Sequence, residues 1–243
     1  MTDIQTQPEV HGLGLELRAW EDADAEALLR GVTDPEYLRW NTPLLPVTDL
    51  AGARAAIRNR AAGWQRGELA QYAVVEGGVV VGGVGLSGID RHMCRASVGY
   101  WVAPGLRGRG IARRALELCT RWAFEQHGIH RIELGHAVEH TASCRVAERC
   151  GYAYEGTRRD GMHQAQRPGT YRDAHLHARL ATDPYPDPDP DPRPGPDPRP
   201  GPVPAPDPNP DPHSGSAPTP TPGPGPGPGP RPGPDRDPHP GRE

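Results

Sequence analysis

The 243-residue chain carries 27 basic and 31 acidic residues, a formal net charge of −4, and every basic residue is arginine. Of its 32 prolines, 26 fall in residues 183–243, a stretch of net charge −5 that leaves residues 1–182 at +1. That near-neutral balance excludes general electrostatic binding of nucleic acid, the lack of lysine excludes Schiff-base chemistry, and no apolar run reaches the roughly 18 residues of a membrane helix.

Residues 1–9 hold no periodic pattern and read as a disordered N-terminus. From Gly14 to Trp20 apolar and polar residues alternate, which predicts a strand. Asp22 stands as the cap of a helix through Ala25, Leu28 and Leu29, and Asp34-Pro35 breaks it. Val47-Thr48-Asp49 opens a second helix that runs through Ala56 to Trp64. Gln71 to Val75 and Val79 to Leu86 flank Gly77-Gly78 and predict a hairpin. A polar turn at Asp90-Arg91-His92 leads to a strand from Cys94 to Val102. A helix follows over 112–126, ended by Gly128, then a strand over 129–138, a short helix over 141–149 ended by Gly151, and strands over 152–158 and 171–180. Strands alternating with helices predict an α/β domain with a mixed sheet over residues 10–182. From Asp183 onward proline at nearly every second position removes donors and forces extended neighbours, so residues 183–243 read as a disordered, polyproline-II-like tail, a spacer rather than a binding element.

Between the strand ending at Val102 and the helix after it lies Pro104-Gly105-Leu106-Arg107-Gly108-Arg109-Gly110-Ile111-Ala112. A glycine-rich turn from strand into helix leaves backbone N–H groups free to bind an anion, and the helix dipole adds to the attraction. The two arginines suit a polyphosphate. The four cysteines, Cys94, Cys119, Cys144 and Cys150, have no CxxC spacing, and no secretory signal precedes the domain. They read as reduced thiols of a cytoplasmic protein, and no metal is expected.

Arg107-Gly108-Arg109-Gly110-Ile111-Ala112 resembles the Arg/Gln-x-x-Gly-x-Gly/Ala signature of the GNAT superfamily of N-acetyltransferases. Ala142-Ser143-Cys144-Arg145-Val146-Ala147-Glu148-Arg149-Cys150-Gly151-Tyr152 resembles the second signature of its RimJ/RimL branch, and Val98 to Val102 and Tyr171 to Leu180 are similar to that branch as well. The resemblance implies a GNAT fold, with a six- or seven-stranded mixed sheet flanked by about four helices. It implies acetyl-CoA as donor and a primary amine as acceptor, in particular a protein N-terminus such as that of a ribosomal protein. Small amines and antibiotics are the alternative acceptors. A non-catalytic acyl-CoA-binding scaffold with a working proline tail is the alternative of another class. Neither nucleic acid nor membrane is implied as a partner, and the chain is expected to be a monomer or homodimer.

The resemblance also implies that the strand carrying Trp101 and Val102 splays from its neighbour to admit the pantetheine arm. The pyrophosphate then rests on Arg107, Gly108, Arg109, Gly110, Ile111 and Ala112. The free N–H near Val102 serves the tetrahedral oxyanion. The branch places a serine near the sulfur, which assigns Ser143 to thiolate stabilisation; helix capping is the competing role for that serine. Where the branch has asparagine three residues before that serine, this chain has His140, and where it often has glutamate, this chain has Ser97. The base therefore stays open among His136, Glu139, His140, Asp173 and His175, with His140 and Tyr100 entered as catalytic candidates. Trp40, Asn41, Tyr72, Tyr100 and Tyr171 are expected to shape the acceptor pocket.

Overall fold

The computed structural model describes residues 6–41, 46–164, 167 and 169–186; the expectations for residues 1–5 and for residues 187–243 lie outside the described residues. In chain order the elements are β1 (Val10–Gly12), β2 (Leu15–Ala19), a 3-10 turn (Asp22–Asp24), α1 (Ala25–Val32), α2 (Pro35–Trp40), α3 (Leu50–Gln65), β3 (Leu69–Glu76), β4 (Val79–Asp90), β5 (Arg95–Val102), α4 (Ile111–Glu125), β6 (Arg131–Ala137), α5 (Thr141–Arg149), β7 (Ala153–His163) and β8 (Tyr171–Leu180). The strands form one mixed sheet in the order β1-β2-β3-β4-β5-β6-β8-β7.

Three local expectations are corrected. The sheet has eight strands, not six or seven, because the three residues of β1 fold back on β2 through Leu13-Gly14. Three residues are too few to show a period. Asp22 does not cap α1; Asp24 does the local work, accepting from the Glu21 N–H at 2.9 Å and from both terminal nitrogens of Arg18 at 2.7 and 2.9 Å. Asp34-Pro35 ends one helix and starts another: the Asp34 carboxylate accepts from the Tyr37 N–H at 3.0 Å, and Pro35 occupies the first position of α2, where its lack of an N–H costs nothing.

Each face of the sheet carries its own core. On one, α4 and α5 bury Leu116, Trp122 and Ala147 against Leu86, Val98, Ile132 and Leu134. On the other, α1 and α3 bury Leu28, Ala53 and Ile57 against Ala73 and Val75, with Trp20 beside them. Trp101 belongs to this second face, stacked on Trp20 at 6.1 Å and edge-on to Tyr37 at 6.4 Å. Glycine at position 31 is what lets α1 pass over it, since a Cβ there would lie 2.0 Å from the Trp101 ring. Among the described residues no helix is long and apolar enough to cross a membrane, and all four cysteines are free thiols.

The connection that positions the site is β5–α4–β6. It joins parallel strands, and they pair over three positions only: Arg95 with Arg131, Ala96 with Ile132 and Ser97 with Glu133. Beyond them β5 stays on β4 as far as Val102–Gly82, while β6 stays on β8 as far as Ala137–Ala174. Each strand follows its antiparallel neighbour, sheet twist carries the two apart, and a V-shaped notch opens in the middle of the sheet.

Candidate functional site

The notch has a polar edge built from backbone. The Ala103 N–H donates to the Val81 carbonyl at 2.8 Å, toward β4. Alternation along the strand therefore turns the N–H groups of Val102 and Tyr100 toward the opposite edge, where β6 has left. These groups can pair with an extended, amide-bearing ligand arm or face a developing oxyanion.

At the wide end of the notch, residues 103–110 turn the chain into α4. Gly105, Gly108 and Gly110 sit at φ of 78°, 80° and 73°, and the space where their Cβ atoms would stand is open. Gly110 holds the N-cap position in left-handed geometry and no side chain caps the helix. The first turn of α4 thus offers N–H groups, the positive end of a helix dipole and room for an anion beside the backbone. The arginines of the loop are already engaged: Arg107 pairs with Asp34, and Arg109 lies 3.1 Å from Glu76, which also takes Arg114 at 2.7 Å. Partial burial works to raise the Asp34 carboxyl, but the hydrogen bonds from Arg107 and the Tyr37 N–H outweigh it and hold it below its ordinary value.

Across the notch, α5 starts at His140, whose carbonyl accepts from the N–H of Ser143 at 3.0 Å. Ser143 is the third residue of the helix, 6% exposed, and its hydroxyl meets the Tyr100 phenol of β5 at 2.7 Å. Capping is therefore not what its side chain does. Burial pushes the Tyr100 phenol above its ordinary value despite the Ser143 hydrogen bond, so the ring keeps its proton at neutral pH.

His140 turns its ring outward onto Trp40, flat at 4.7 Å and an interplanar angle of 1°. Trp40 is held by Glu36 at 2.6 Å and carries the guanidinium groups of Arg39 and Arg172 at 4.7 and 5.8 Å from its ring. Burial pushes the His140 imidazole down to about 4, and His136 and the nearby arginines add to the effect against Glu36. A cleft beside this stack is lined by Leu38, Arg39, Trp40, Glu139, Gln164, Arg167 and Arg172. Its excess of arginine was not anticipated from the sequence, because its members are distant along the chain.

The structure brings together Tyr100, Val102, Ser143, His140 and Trp40, and separates other candidates from them. The Trp101 side chain is on the far face of the sheet and its carbonyl is turned toward β4, so Trp101 does not line the notch. Tyr72 does not line a pocket: it is fully buried, edge-on to Trp122 at 5.3 Å. Asn41 closes α2, donating to the Tyr37 carbonyl at 2.9 Å. Tyr171 is exposed and packs on His163 at 4.4 Å, and only its carbonyl is joined to the cleft, through Gln164 at 3.3 Å. Asp173 accepts from the Asp160 N–H at 2.9 Å, and Ser97 is exposed at the foot of the notch. His136 and His175 lie deeper, grouped with His177 and Cys144.

Known proteins resemble this chain in sequence and fold. The profile described as "Acetyltransferase (GNAT) domain" matches residues 14–153. The "Putative ribosomal N-acetyltransferase YdaF" of Bacillus subtilis (strain 168) is 32% identical over 108 residues, covering 41% of this chain and 57% of that protein. The match thus spans little more than half of that relative's length. The "Uncharacterized N-acetyltransferase p20" of Bacillus licheniformis is 28% identical over 148 residues, 60% of this chain and 83% of that protein. Among solved structures, RimL, a ribosomal L7/L12 alpha-N-protein acetyltransferase in complex with coenzyme A, superposes with a TM-score of 0.65 at 23% identity, covering 71% of this chain and 98% of that one. RimJ of Mycobacterium smegmatis, in complex with CoA-disulfide, gives 0.64 at 24% identity, covering 72% and 86%. These structures share the fold. With the splayed parallel pair, the glycine turn into α4 and a profile match over more than half its length, the chain belongs to the GNAT acetyltransferase family.

Proposed function

We propose that this chain transfers the acetyl group of acetyl-CoA to a primary amine, a protein N-terminal α-amine, by direct attack in a ternary complex. The observation that carries the reading is the notch between β5 and β6, with the open turn at Gly108 and Gly110 at its wide end and the Tyr100–Ser143 hydroxyl pair across it. The pyrophosphate rests on the first turn of α4. The pantetheine arm pairs with the free edge of β5, and the thioester carbonyl faces the Val102 N–H.

The neutral amine attacks the thioester carbon, the oxyanion is held at Val102, the new N–C bond's nitrogen gives its extra proton to water, and the intermediate collapses by breaking the C–S bond, the thiolate leaving hydrogen-bonded to Ser143 and taking its proton from solvent. Tyr100 keeps its proton and donates to the Ser143 oxygen, which leaves the Ser143 proton to meet the departing thiolate. Among the described residues the imidazole stacked beside this path, His140, is neutral and weakly basic at neutral pH. An α-amine, with an ordinary pKa of about 8, already supplies some free base there, whereas a lysine amine near 10.4 supplies almost none. This favours an α-amine. The cleft guanidinium groups of Arg39, Arg167 and Arg172 favour an N-terminus followed by acidic residues. RimL, whose fold this chain shares, is named a ribosomal L7/L12 alpha-N-protein acetyltransferase, which supports an N-terminal acceptor.

The test is free-thiol release from acetyl-CoA against N-terminal peptides with acidic or basic second positions, lysine-bearing peptides with blocked N-termini, and small amines. Turnover with free acidic N-termini is expected. Tight CoA binding without turnover on any acceptor overturns the reading and favours the scaffold.

A further inference from the structure

We propose that His136, Cys144, His175 and His177 form a closed, tetrahedral site for a zinc-class divalent ion that clamps α5 to β6 and β8. One ligand atom from each lies within 4.8 Å of all the others. The residues come from three elements: His136 from β6, Cys144 from the first half of α5, and His175 and His177 from one side of β8.

The tautomers are set for binding. His136 Nδ1 lies 2.9 Å from the Ala137 carbonyl, and His177 Nδ1 lies 3.3 Å from the Tyr152 carbonyl. A carbonyl only accepts, so both Nδ1 atoms carry the proton and both Nε2 atoms present lone pairs. Such a backbone partner is what orients imidazoles in metal sites. His136 is 4% exposed, and its Nε2 is buried with no hydrogen-bond partner; His175 Nδ1 is buried and unpartnered too. Buried acceptors without donors are rare in folded proteins and call for an explanation. The His177 Nε2–Cys144 Sγ separation of 3.7 Å is close to the edge of a tetrahedron with bonds of about 2.0–2.1 Å to nitrogen and 2.3 Å to sulfur.

The donor set selects the ion. Three imidazoles and a thiolate, with no carboxylate among the four, suit a borderline ion and not calcium or magnesium, which take oxygen. On binding, the Cys144 S–H bond ionises, the proton leaves to solvent past Glu148, 3.4 Å away, and the metal–sulfur bond forms. Four protein ligands leave no open position, so the ion is structural. It fixes Cys144, and with it the adjacent Ser143. The site does not depend on the acetyl-transfer reading.

The experiment uses the full, tag-free chain, stripped with a chelator and titrated with Co2+. Saturation at one equivalent is expected, with the intense visible absorption of tetrahedral cobalt and a thiolate-to-cobalt charge-transfer band. Cys144→Ser should lose the charge-transfer band, and His175→Gln should weaken binding by at least tenfold. One equivalent of Zn2+ should raise the Tm of the wild type and raise it less in either variant. A pale octahedral spectrum, no saturation, or a spectrum unchanged in both variants overturns the proposal. Both residues are partly exposed, and circular dichroism verifies that the variants fold.

Discussion

The Tyr100 phenol and the Ser143 hydroxyl meet at 2.7 Å although 43 residues separate them, one on the strand that leaves the notch and the other on the helix that overhangs it. The pair closes the gap at the level where the Val102 N–H faces inward. When the phenol is the donor of this bond, the serine keeps its own proton for a third group.

Ser143→Ala should lower kcat by about 10²-fold or more while leaving CoA affinity nearly unchanged. Tyr100→Phe should do the same to a smaller degree, and the double variant should be no worse than Ser143→Ala, because the two act as one unit. Steady-state kinetics and CoA titration check this; additive losses would mean two independent roles.

Gly110→Glu should abolish CoA binding, since it puts a carboxylate at the N-terminus of α4 where the anion is received. The control is Gly110→Ala, which carries the backbone cost of a φ of 73°, about 1 kcal/mol, without the charge. Isothermal titration should show weakened binding in the control and none in the charged variant.

Arg107 pairs with the Asp34 carboxylate, and in the proposed complex a phosphate would compete for it. Asp34→Asn keeps an N-cap for α2 but removes the competing charge. CoA affinity should rise about threefold to tenfold, with the gain shrinking as salt is added. Unchanged affinity would show that Arg107 does not reach the ligand.

Arg179 is fully buried, donating to Glu117 at 3.0 Å and to the Cys150 carbonyl at 2.8 Å. Arg179→Met leaves the Glu117 carboxylate with the half-exposed Arg121 alone, 2.8 Å away, and should cost about 3 kcal/mol in urea unfolding. The double variant with Glu117→Leu should recover much of the loss, because no charge is then left alone in the core.

His127 stacks on Trp122 at 4.7 Å and on Trp64 at 5.6 Å, and burial with the Arg91 charge pushes it down to about 4. The unfolded chain takes up that proton near 6.5, so between these values the folded state binds fewer protons. Its contribution is complete above about pH 6.5 and is lost as pH falls toward about 4. His127→Phe should therefore lose less Tm than wild type between about pH 7.5 and pH 5.

Much of the fold lies in local pattern. The helix Thr141–Arg149 and the strand Tyr171–Leu180 end where the sequence puts them, and the glycine turn before α4 announces itself because positive φ and an open N-terminus are properties of a few adjacent residues. The GNAT family was legible for the same reason: two short signatures carry it. β1 and α2 were not, since one is three residues long and the other hides behind a proline that reads as a stop. Tyr72 and Trp101 show the limit for side chains. An aromatic ring suits core and pocket equally, and only the sheet decides which face it joins. Tyr100 with Ser143, Trp40 with His140, and the His136–Cys144–His175–His177 group belong to different elements, and their meeting depends on register and on where β5 parts from β6. Local sequence determined the elements and the anion-binding turn, because those follow from near-neighbour sterics and hydrogen bonding. The tertiary structure alone decided the site's chemistry, because it rests on contacts between residues far apart in the chain that only packing brings within reach.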